Sequence, residues 1–246
     1  MNNKSETAKP EVSIVIPVMN EEESVPELAQ EIEAAFAATE YIWECLWIDD
    51  GSSDRTVELI KSLPSQHHRL FQHDRNYGQS AAFYTGFKHA RGAIIGTLDG
   101  DLQNDPADLP KMIAKLNRGE VDIVNGIRSK RQDDWVRRFS SRIANGFRNW
   151  ITNDSITDVG CSIRVFYKEF VEILPLWKGM HRFLPTLMRM NGGKIMELPV
   201  NHRQRQFGIT KYGIGNRLWV GLMDTFGVRW LAGRGVRPRT VEESEI

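Results

Sequence analysis

The sequence has little cysteine, no long apolar run and no net charge, and each deficit excludes a class of protein. The 246 residues contain two cysteines, Cys45 and Cys161, without zinc-ligand spacing or a disulfide framework, so we expect a reducing compartment. The 32 basic residues balance 32 acidic ones, which argues against a general nucleic-acid-binding protein. No stretch approaches the roughly 20 apolar residues of a membrane-spanning helix, so any membrane contact is expected at the surface.

Two nucleotide-binding signatures and a signal peptide are also missing from the sequence. No GxGxxG follows the first predicted strand, which excludes a Rossmann dehydrogenase, and no GxxxxGK[ST] is present, which excludes a P-loop enzyme. Residues 1–10 are polar and lack the apolar core of a signal peptide, so we expect them to form a short disordered lead.

The first half of the chain alternates predicted strands and helices. Val12–Val18 is a β-branched run typical of a buried parallel strand. Further strands are predicted over 41–48, 69–73, 92–98 and 121–127. The first helix is predicted to begin at Ser24, with Glu27 completing a capping box. This order predicts an α/β fold with a mostly parallel sheet, in which ligands bind at the carboxyl ends of the strands.

Polar residues stand at three of these predicted strand ends. Pro17, Asn20 and Glu21 follow the first strand, and a DDGSSD turn containing Asp50 follows the second. Such turns are also common for purely conformational reasons. Three of them at one edge of a sheet nevertheless indicate a shared binding site.

The third strand end carries the sequence Asp99-Gly100-Asp101. Two carboxylates so close together repel each other, and a divalent cation removes that cost. Mg²⁺ and Mn²⁺ prefer oxygen ligands, and Gln103 offers an amide oxygen nearby. A solvated acidic turn would have the same sequence, so this motif alone does not decide the chemistry.

Several short motifs occur together between about residues 12 and 218. They are PVMNEEES, WIDDGSSDRT, RNYGQSAAFYTGF, GTLDGDLQNDP, TDVGCSIRVF, HRFLP and RQFGITKY. Together they resemble the dolichyl-phosphate mannose synthase group of family 2 glycosyltransferases, which includes bacterial undecaprenyl-phosphate sugar transferases. The resemblance implies a GT-A fold over residues 11–212, a Rossmann-like, mostly parallel sheet flanked by helices. It also implies inverting transfer of a sugar from a GDP- or UDP-linked donor to a polyprenyl phosphate, with Mg²⁺ or Mn²⁺ as cofactor.

The resemblance also assigns roles to individual residues. The nucleotide sugar is expected to contact Pro17, Asn20, Glu21, Asp50, Asp99, Arg205 and Lys211. Asp101 and Gln103 match metal ligands, and Arg128, Arg137 and Ser141 match positions that contact the acceptor phosphate. Asp99, Asp101 and Arg128 are the expected catalytic residues. A lipid monophosphate, with a second pKa of about 6, needs no general base because it is already largely ionised.

Residues 135–151 have the spacing of an amphipathic helix. Its apolar face comprises Trp135, Val136, Phe139, Ile143, Phe147, Trp150 and Ile151. Its other side carries Arg137, Arg138, Arg142 and Arg148. A core-facing helix would show the same spacing, but aromatic residues opposite arginines favour a helix in the headgroup region of a membrane.

A second apolar stripe lies in the C-terminal segment predicted over 213–246, which ends in a polar tail. The stripe comprises Leu218, Trp219, Leu222, Met223, Phe226 and Trp230. Relatives often continue here into two membrane-spanning helices, whereas this segment does not. We therefore expect peripheral attachment to the cytoplasmic face of the inner membrane, with a separate integral membrane protein as a partner.

Three other functions share some of these sequence features. A family 2 enzyme with a glycan or lipopolysaccharide hydroxyl as acceptor would need a general base, for which Asp158 is a candidate. A processive polysaccharide synthase is disfavoured because its QxxRW signature is absent, with Phe226 standing where glutamine would precede Arg229 and Trp230. A non-catalytic nucleotide-sugar-binding scaffold would tolerate loss of the metal ligands, yet both are present.

Overall fold

Strands and helices alternate along the chain. The structure is a computed structural model that describes residues 8–64, 66–128, 146–204 and 214–234. In the last range, side chains are described from residue 220 onward. The strands are β1 Val12–Val18, β2 Trp43–Asp49, β3 His68–Gln72, β4 Ile94–Thr97, β5 Ile123–Arg128, β6 Arg164–Tyr167 and β7 Ile195–Val200. The helices are α1 Val25–Ala37, α2 Thr56–Lys61, α3 Gln79–His89, α4 Asp108–Leu116, α5 over the helical residues 146–152, α6 Leu184–Met190 and α7 Ile214–Arg234. Two short 3-10 helical segments span Lys168–Ile173 and Met180–Phe183.

The described strands form one sheet in the order β3-β2-β1-β4-β6-β5-β7. β1 pairs in parallel with β2 and β4, β2 with β3, and β5 with β7. β6 runs antiparallel to both of its neighbours, β4 and β5. The predicted α/β fold with a mostly parallel sheet is confirmed, and the antiparallel β6 is the element that the alternating pattern did not predict.

Both faces of the sheet are covered, which explains the near-continuous apolar runs in its central strands. On one face Ile14 and Ile16 of β1 pack with Ile32 of α1. On the other face Val15 packs with residues of α3, and a Cβ added to Gly86 would lie 2.2 Å from Val15 Cγ1. The absence of a side chain at Gly86 therefore lets α3 lie close against β1.

Helix α1 begins where the sequence predicts, but the predicted capping box is wrong. Ser24 has helical backbone angles, φ −92° and ψ −33°, and its side chain makes no capping hydrogen bond. Its hydroxyl donates instead to Glu21 Oε2 at 3.3 Å. Pro26 in the first turn has no backbone N–H, so one of the donors that a capping serine would satisfy is missing. Other predicted boundaries differ from the observed ones by about two residues.

The described part of α5 turns its aromatic residues outward and its arginine inward. Trp150 is 79% exposed and Phe147 42% exposed. The prediction that Arg148 lies on the solvated face is wrong, because its guanidinium NH2 donates to the carbonyl of Ile156 at 3.0 Å and the residue is buried. Burial lowers the pKa of Arg148, and the negative charge of Asp154 opposes that shift.

Helix α7 packs through one side and leaves an apolar stripe exposed. Thr225 and Val228 are buried, and Val228 joins the core on the α3 face of the sheet. The exposed stripe comprises Val220, Met223, Phe226 and Trp230. Among the helices of the described ranges, none combines the length and hydropathy needed to cross a bilayer. Outside the described residues lie residues 1–7 of the lead predicted over 1–10, residues 135–145 of the predicted amphipathic helix and the tail over 235–246.

Candidate active site

The loops after β1 and β2 are fastened together at the carboxyl edge of the sheet. The N–H of Asp50 donates to the carbonyl of Val18 at 2.9 Å. Asn20 donates its N–H to Ser52 Oγ at 2.8 Å, and its side-chain oxygen accepts the N–H of Ser53 at 2.8 Å. Asn20 has a left-handed backbone, φ 52°, which asparagine tolerates better than most residues. Asn20 therefore joins these two loops, and its predicted contact with a nucleotide sugar stays a prediction.

The Asp99-Gly100-Asp101 turn lies directly against the end of β1. A Cβ added to Gly100 would lie 2.9 Å from Val18 Cγ1, 3.3 Å from the carbonyl oxygen of Pro17 and 3.8 Å from Glu21 Cγ. Only a glycine allows such an approach. The structure thus brings the acidic turn beside Pro17 and Glu21, as the shared edge of parallel strands predicts.

The oxygen atoms in this turn suit a divalent cation that binds together with a diphosphate. Asp101 is 8% exposed, and its Oδ1 accepts the N–H of Gln103 at 3.2 Å. Between them, Leu102 adopts φ 60°, a conformation uncommon for a leucine, while its side chain is buried in the core. The described residues contain no group of three or more His, Cys, Asp or Glu able to hold a metal. One or two protein ligands completed by substrate phosphates are, however, the usual arrangement for Mg²⁺.

Asp99 is held by a residue for which the sequence predicted no role. Gln79, the first residue of α3, donates from Nε2 to Asp99 Oδ1 at 2.7 Å. The RNYGQSAAFYTGF motif contains Gln79 and could have marked it as a site residue. The motif does not reveal its partner, Asp99, which lies 20 residues further along the chain. Only the packing of α3 on β1 and β2 brings its first residue beside the turn that follows β4.

Asp50 organises the loop that leads into α3. It is buried, and its Oδ1 accepts the N–H of Tyr77 at 2.9 Å and contacts Nδ1 of His73 at 2.8 Å. Its Oδ2 accepts the N–H of Gly78 at 2.7 Å. Nε2 of His73 in turn lies 2.9 Å from Thr85 Oγ1. These contacts fix the loop, and the contact of Asp50 with a nucleotide stays a prediction.

Arg128 forms a two-bond ion pair with Asp158 at the end of β5. Its Nε donates to Asp158 Oδ2 at 2.8 Å and its NH2 to Oδ1 at 2.7 Å. Gly160 leaves room for the guanidinium, since an added Cβ would lie 2.8 Å from Arg128 NH2. Glu197 braces the preceding residue by accepting the N–H of Thr157 at 2.9 Å. Both oxygens of Asp158 are therefore directed at an arginine, which makes this carboxylate a poor general base.

Arg164 is a buried cation that the sequence prediction missed. It donates from Nε to Asn125 Oδ1 at 3.0 Å, from NH1 to the carbonyl of His181 at 3.2 Å, and from NH2 to the carbonyl of Val159 at 2.8 Å. Burial lowers its pKa, while the negative charge of Asp99 opposes that shift. An arginine stays protonated in such a site, so a fixed positive charge lies beneath the acidic turn.

The structure places eight of the predicted site residues and not the other four. The placed residues are Pro17, Asn20, Glu21, Asp50, Asp99, Asp101, Gln103 and Arg128. Arg137, Ser141, Arg205 and Lys211 lie outside the described residues. Within the placed set, contacts join the β1, β2 and β4 loops, whereas Arg128 belongs to the neighbouring cluster around Asp158.

The sequence matches known proteins along most of its length. The family model described as Glycosyl transferase family 2 matches residues 13–174. Dodecaprenyl-phosphate galacturonate synthase of Rhizobium johnstonii is 36% identical over 234 residues, which cover 93% of this chain and 69% of that protein. Undecaprenyl-phosphate 4-deoxy-4-formamido-L-arabinose transferase of Enterobacter sp. (strain 638) is 38% identical over 204 residues, 82% of this chain and 62% of that protein. The chain thus spans less than two thirds of the length of the second relative.

Solved structures share the fold at low sequence identity. Glucosyl-3-phosphoglycerate synthase from Mycobacterium tuberculosis, in complex with Mn²⁺, UDP and glucosyl-3-phosphoglycerate, aligns with TM-score 0.67 and 16% identity. The alignment covers 94% of this chain and 82% of that one. The same protein in complex with Mg²⁺ and UDP aligns with TM-score 0.68 and 18% identity, over 90% of this chain and 81% of that one. The GT-A fold implied by the motifs agrees with these alignments.

Proposed function

This chain belongs to glycosyl transferase family 2, and on that premise we propose that it transfers a sugar from a GDP- or UDP-linked donor to a polyprenyl phosphate. The products are a polyprenyl-phosphate sugar and a nucleoside diphosphate. Two relatives named for sugar transfer to dodecaprenyl or undecaprenyl phosphate support this choice of acceptor.

The ion pair between Arg128 and Asp158 favours a lipid phosphate over a hydroxyl group as the acceptor. A hydroxyl acceptor needs a base to remove its proton, and Asp158 was the candidate for that role. Its two oxygens lie 2.7 and 2.8 Å from the guanidinium of Arg128, so it is poorly placed to take a proton. A lipid phosphate, by contrast, is already ionised at neutral pH and needs only to be held in line with the anomeric carbon. Arginine is well suited to hold a phosphate.

The loops around the acidic turn are the proposed binding site for the nucleotide sugar and its metal. Asp101 and Gln103 would hold Mg²⁺ or Mn²⁺ jointly with the diphosphate, and the metal would neutralise charge on the leaving group. Structural neighbours that contain Mn²⁺ or Mg²⁺ together with UDP support this assignment. Pro17 and Glu21 flank the acidic turn and would form the wall against which the nucleotide lies.

We further propose that the protein acts while bound peripherally to a membrane, on the cytoplasmic face. The exposed rings of Phe147 and Trp150, with centroids 6.2 Å apart, form one apolar contact on α5. The stripe of Val220, Met223, Phe226 and Trp230 on α7 forms a second. A lipid acceptor must be reached at the bilayer surface, and exposed aromatic residues favour the interface between headgroups and acyl chains.

Incubation of the purified protein with undecaprenyl phosphate, Mn²⁺ or Mg²⁺ and a panel of GDP- and UDP-sugars tests the proposal. We expect mass spectrometry to detect a new glycolipid that requires lipid, donor and metal together. Reactions that lack the lipid, or that contain excess EDTA, are the controls. A sugar transferred only when a glycan replaces the lipid phosphate would overturn the proposed acceptor.

A further inference from the structure

We propose that Gln79 is a positioning residue that fixes the Asp99 carboxylate toward the nucleotide sugar. The inference rests on the proposed function in one respect, that Asp99 contacts the donor. It adds a residue on a different element, the first turn of α3, to the machinery around the acidic turn.

The hydrogen bond between the two side chains is short and charge-assisted. Nε2 of Gln79 donates to Asp99 Oδ1 at 2.7 Å. Hydrogen bonds to an ionised group are roughly twice as strong as those between neutral groups. A carboxylate next to a second carboxylate, that of Asp101, is otherwise pushed away from it by like charge. The amide of Gln79 selects one orientation of Asp99 against that repulsion.

The backbone of Gln79 is anchored on both sides, so its side chain is placed accurately. On one side, the N–H of Gly78 donates to Asp50 Oδ2 at 2.7 Å, and the φ of +94° at Gly78 favours a glycine. On the other side, Ser80 Oγ accepts the N–H of Gly179 at 2.9 Å and lies 2.7 Å from His181 Nδ1. Two independent parts of the fold therefore hold the residues that flank Gln79.

Three substitutions at Gln79 distinguish a role in positioning Asp99 from a contribution to the stability of the fold alone. Gln79→Met keeps the length but removes the donor, and Gln79→Glu keeps the shape but places a negative charge against Asp99. Gln79→Asn retains the amide on a shorter side chain. Gln30→Met, at an exposed position on α1, is the matched control.

We expect Gln79→Met to lower kcat/KM for the nucleotide sugar by about 10- to 100-fold, as loss of a supporting hydrogen bond near a metal site typically does. Gln79→Glu should lower it further, and Gln79→Asn should retain part of the activity. KM for the lipid acceptor and the melting temperature should stay close to those of the wild type. Unchanged donor kinetics in Gln79→Met, or equal losses for both substrates with a lower melting temperature, would refute the positioning role.

Donor binding measured without acceptor keeps this test independent of the acceptor's identity. Calorimetry of UDP- and GDP-sugars with Mn²⁺ should show weaker binding to Gln79→Met and Gln79→Glu than to the wild type. If the wild type forms no glycolipid but the variants still bind donor more weakly, the proposed function fails while the positioning role stands. Equal donor affinity in these three proteins would exclude the role of Gln79 whatever the acceptor.

Discussion

The hydroxyl oxygen of Ser80 lies 2.7 Å from Nδ1 of His181, a hydrogen bond that joins the first turn of α3 to the 3-10 segment Met180–Phe183. The same oxygen accepts the N–H of Gly179 at 2.9 Å, so Ser80 joins α3 to this segment at two points. Burial, together with the nearby charges of Arg182 and Arg164, lowers the pKa of His181 to about 3, and the ring is therefore neutral.

The first prediction concerns the pH dependence of stability. The unfolded chain protonates this histidine near its usual pKa of 6.5, whereas the folded chain does so only near 3. The unfolded state therefore binds more protons between these values, and stability falls as the pH drops, by up to about 1.4 kcal/mol per pH unit from this group. Between pH 7 and 5, the free energy of unfolding of His181→Gln, measured by denaturant, should fall less steeply with decreasing pH than that of the wild type. A slope equal to that of the wild type would contradict the prediction, and His67→Gln is the control.

The second prediction concerns the room that Gly160 leaves for Arg128. In Gly160→Ala the new Cβ would meet Arg128 NH2 at 2.8 Å and displace the guanidinium from Asp158. We expect kcat/KM for polyprenyl phosphate to fall by about 10- to 100-fold, since misplacement by about 1 Å can cost that much. KM for the nucleotide sugar should change little. Gly146→Ala is the matched control, because an added Cβ there would have no neighbour within 4 Å among the residues that the structure describes.

The third prediction concerns Glu44 on β2, which is buried and accepts hydrogen bonds from Ser13, Arg69 and Arg91. Burial alone would raise the pKa of Glu44, but hydrogen bonds from Arg91 and the other partners lower it below 4.5. Its contribution to stability is thus complete above pH 4.5 and is lost as the pH falls through the lower folded value.

Glu44→Gln should therefore reduce the free energy of unfolding at pH 7 by about 1.5–3 kcal/mol. Its stability should also decline less than that of the wild type as the pH falls below 4.5. Chemical denaturation across this range measures both effects, with Glu58→Gln on the exposed side of α2 as control. Parallel acid profiles for wild type and Glu44→Gln would show that the lowered pKa is wrong.

The fourth prediction concerns the metal. Asp101→Ala should abolish metal-dependent turnover, a loss of about 10²–10³ or more, because the charge on the leaving diphosphate is no longer offset. The fold should survive, since Asp101 lies in a turn rather than in the core. Circular dichroism checks the fold, and Asp74→Ala, at an exposed position, is the control. Undiminished wild-type activity in excess EDTA would show that the proposed metal bound by Asp101 is not required.

The fifth prediction concerns the aromatic pair on α5. Replacing Phe147 and Trp150 together by serine should weaken co-sedimentation with anionic liposomes, because the exposed rings no longer enter the headgroup region. Ile42→Ser removes a comparably exposed apolar side chain, 43% exposed, near the amino end of β2 and serves as control. Equal loss in both proteins, or no loss in the double variant, would argue against α5 as the membrane contact.

The sequence by itself determined the type of fold and the edge of the sheet that carries the site. Runs such as Val12–Val18 are apolar because both faces of a parallel sheet are covered, and that pattern is local. The polar turns around Asp50 and Asp99 could be assigned to one edge because the carboxyl ends of parallel strands lie together. Motif resemblance then supplied the family, which the comparisons confirmed.

Tertiary structure alone decided which side chains are partners. Gln79 reaches Asp99, and Asp158 reaches Arg128, only because packed elements bring together residues 20 and 30 positions apart. The predicted capping box is wrong because Ser24 has a helical backbone and its hydroxyl donates to Glu21 instead of capping α1. Arg148 points inward, where its guanidinium donates to the carbonyl of Ile156, a partner that helical spacing does not reveal. Periodicity along a chain reports which face of an element is apolar, but a hydrogen-bond partner depends on where the rest of the fold places it.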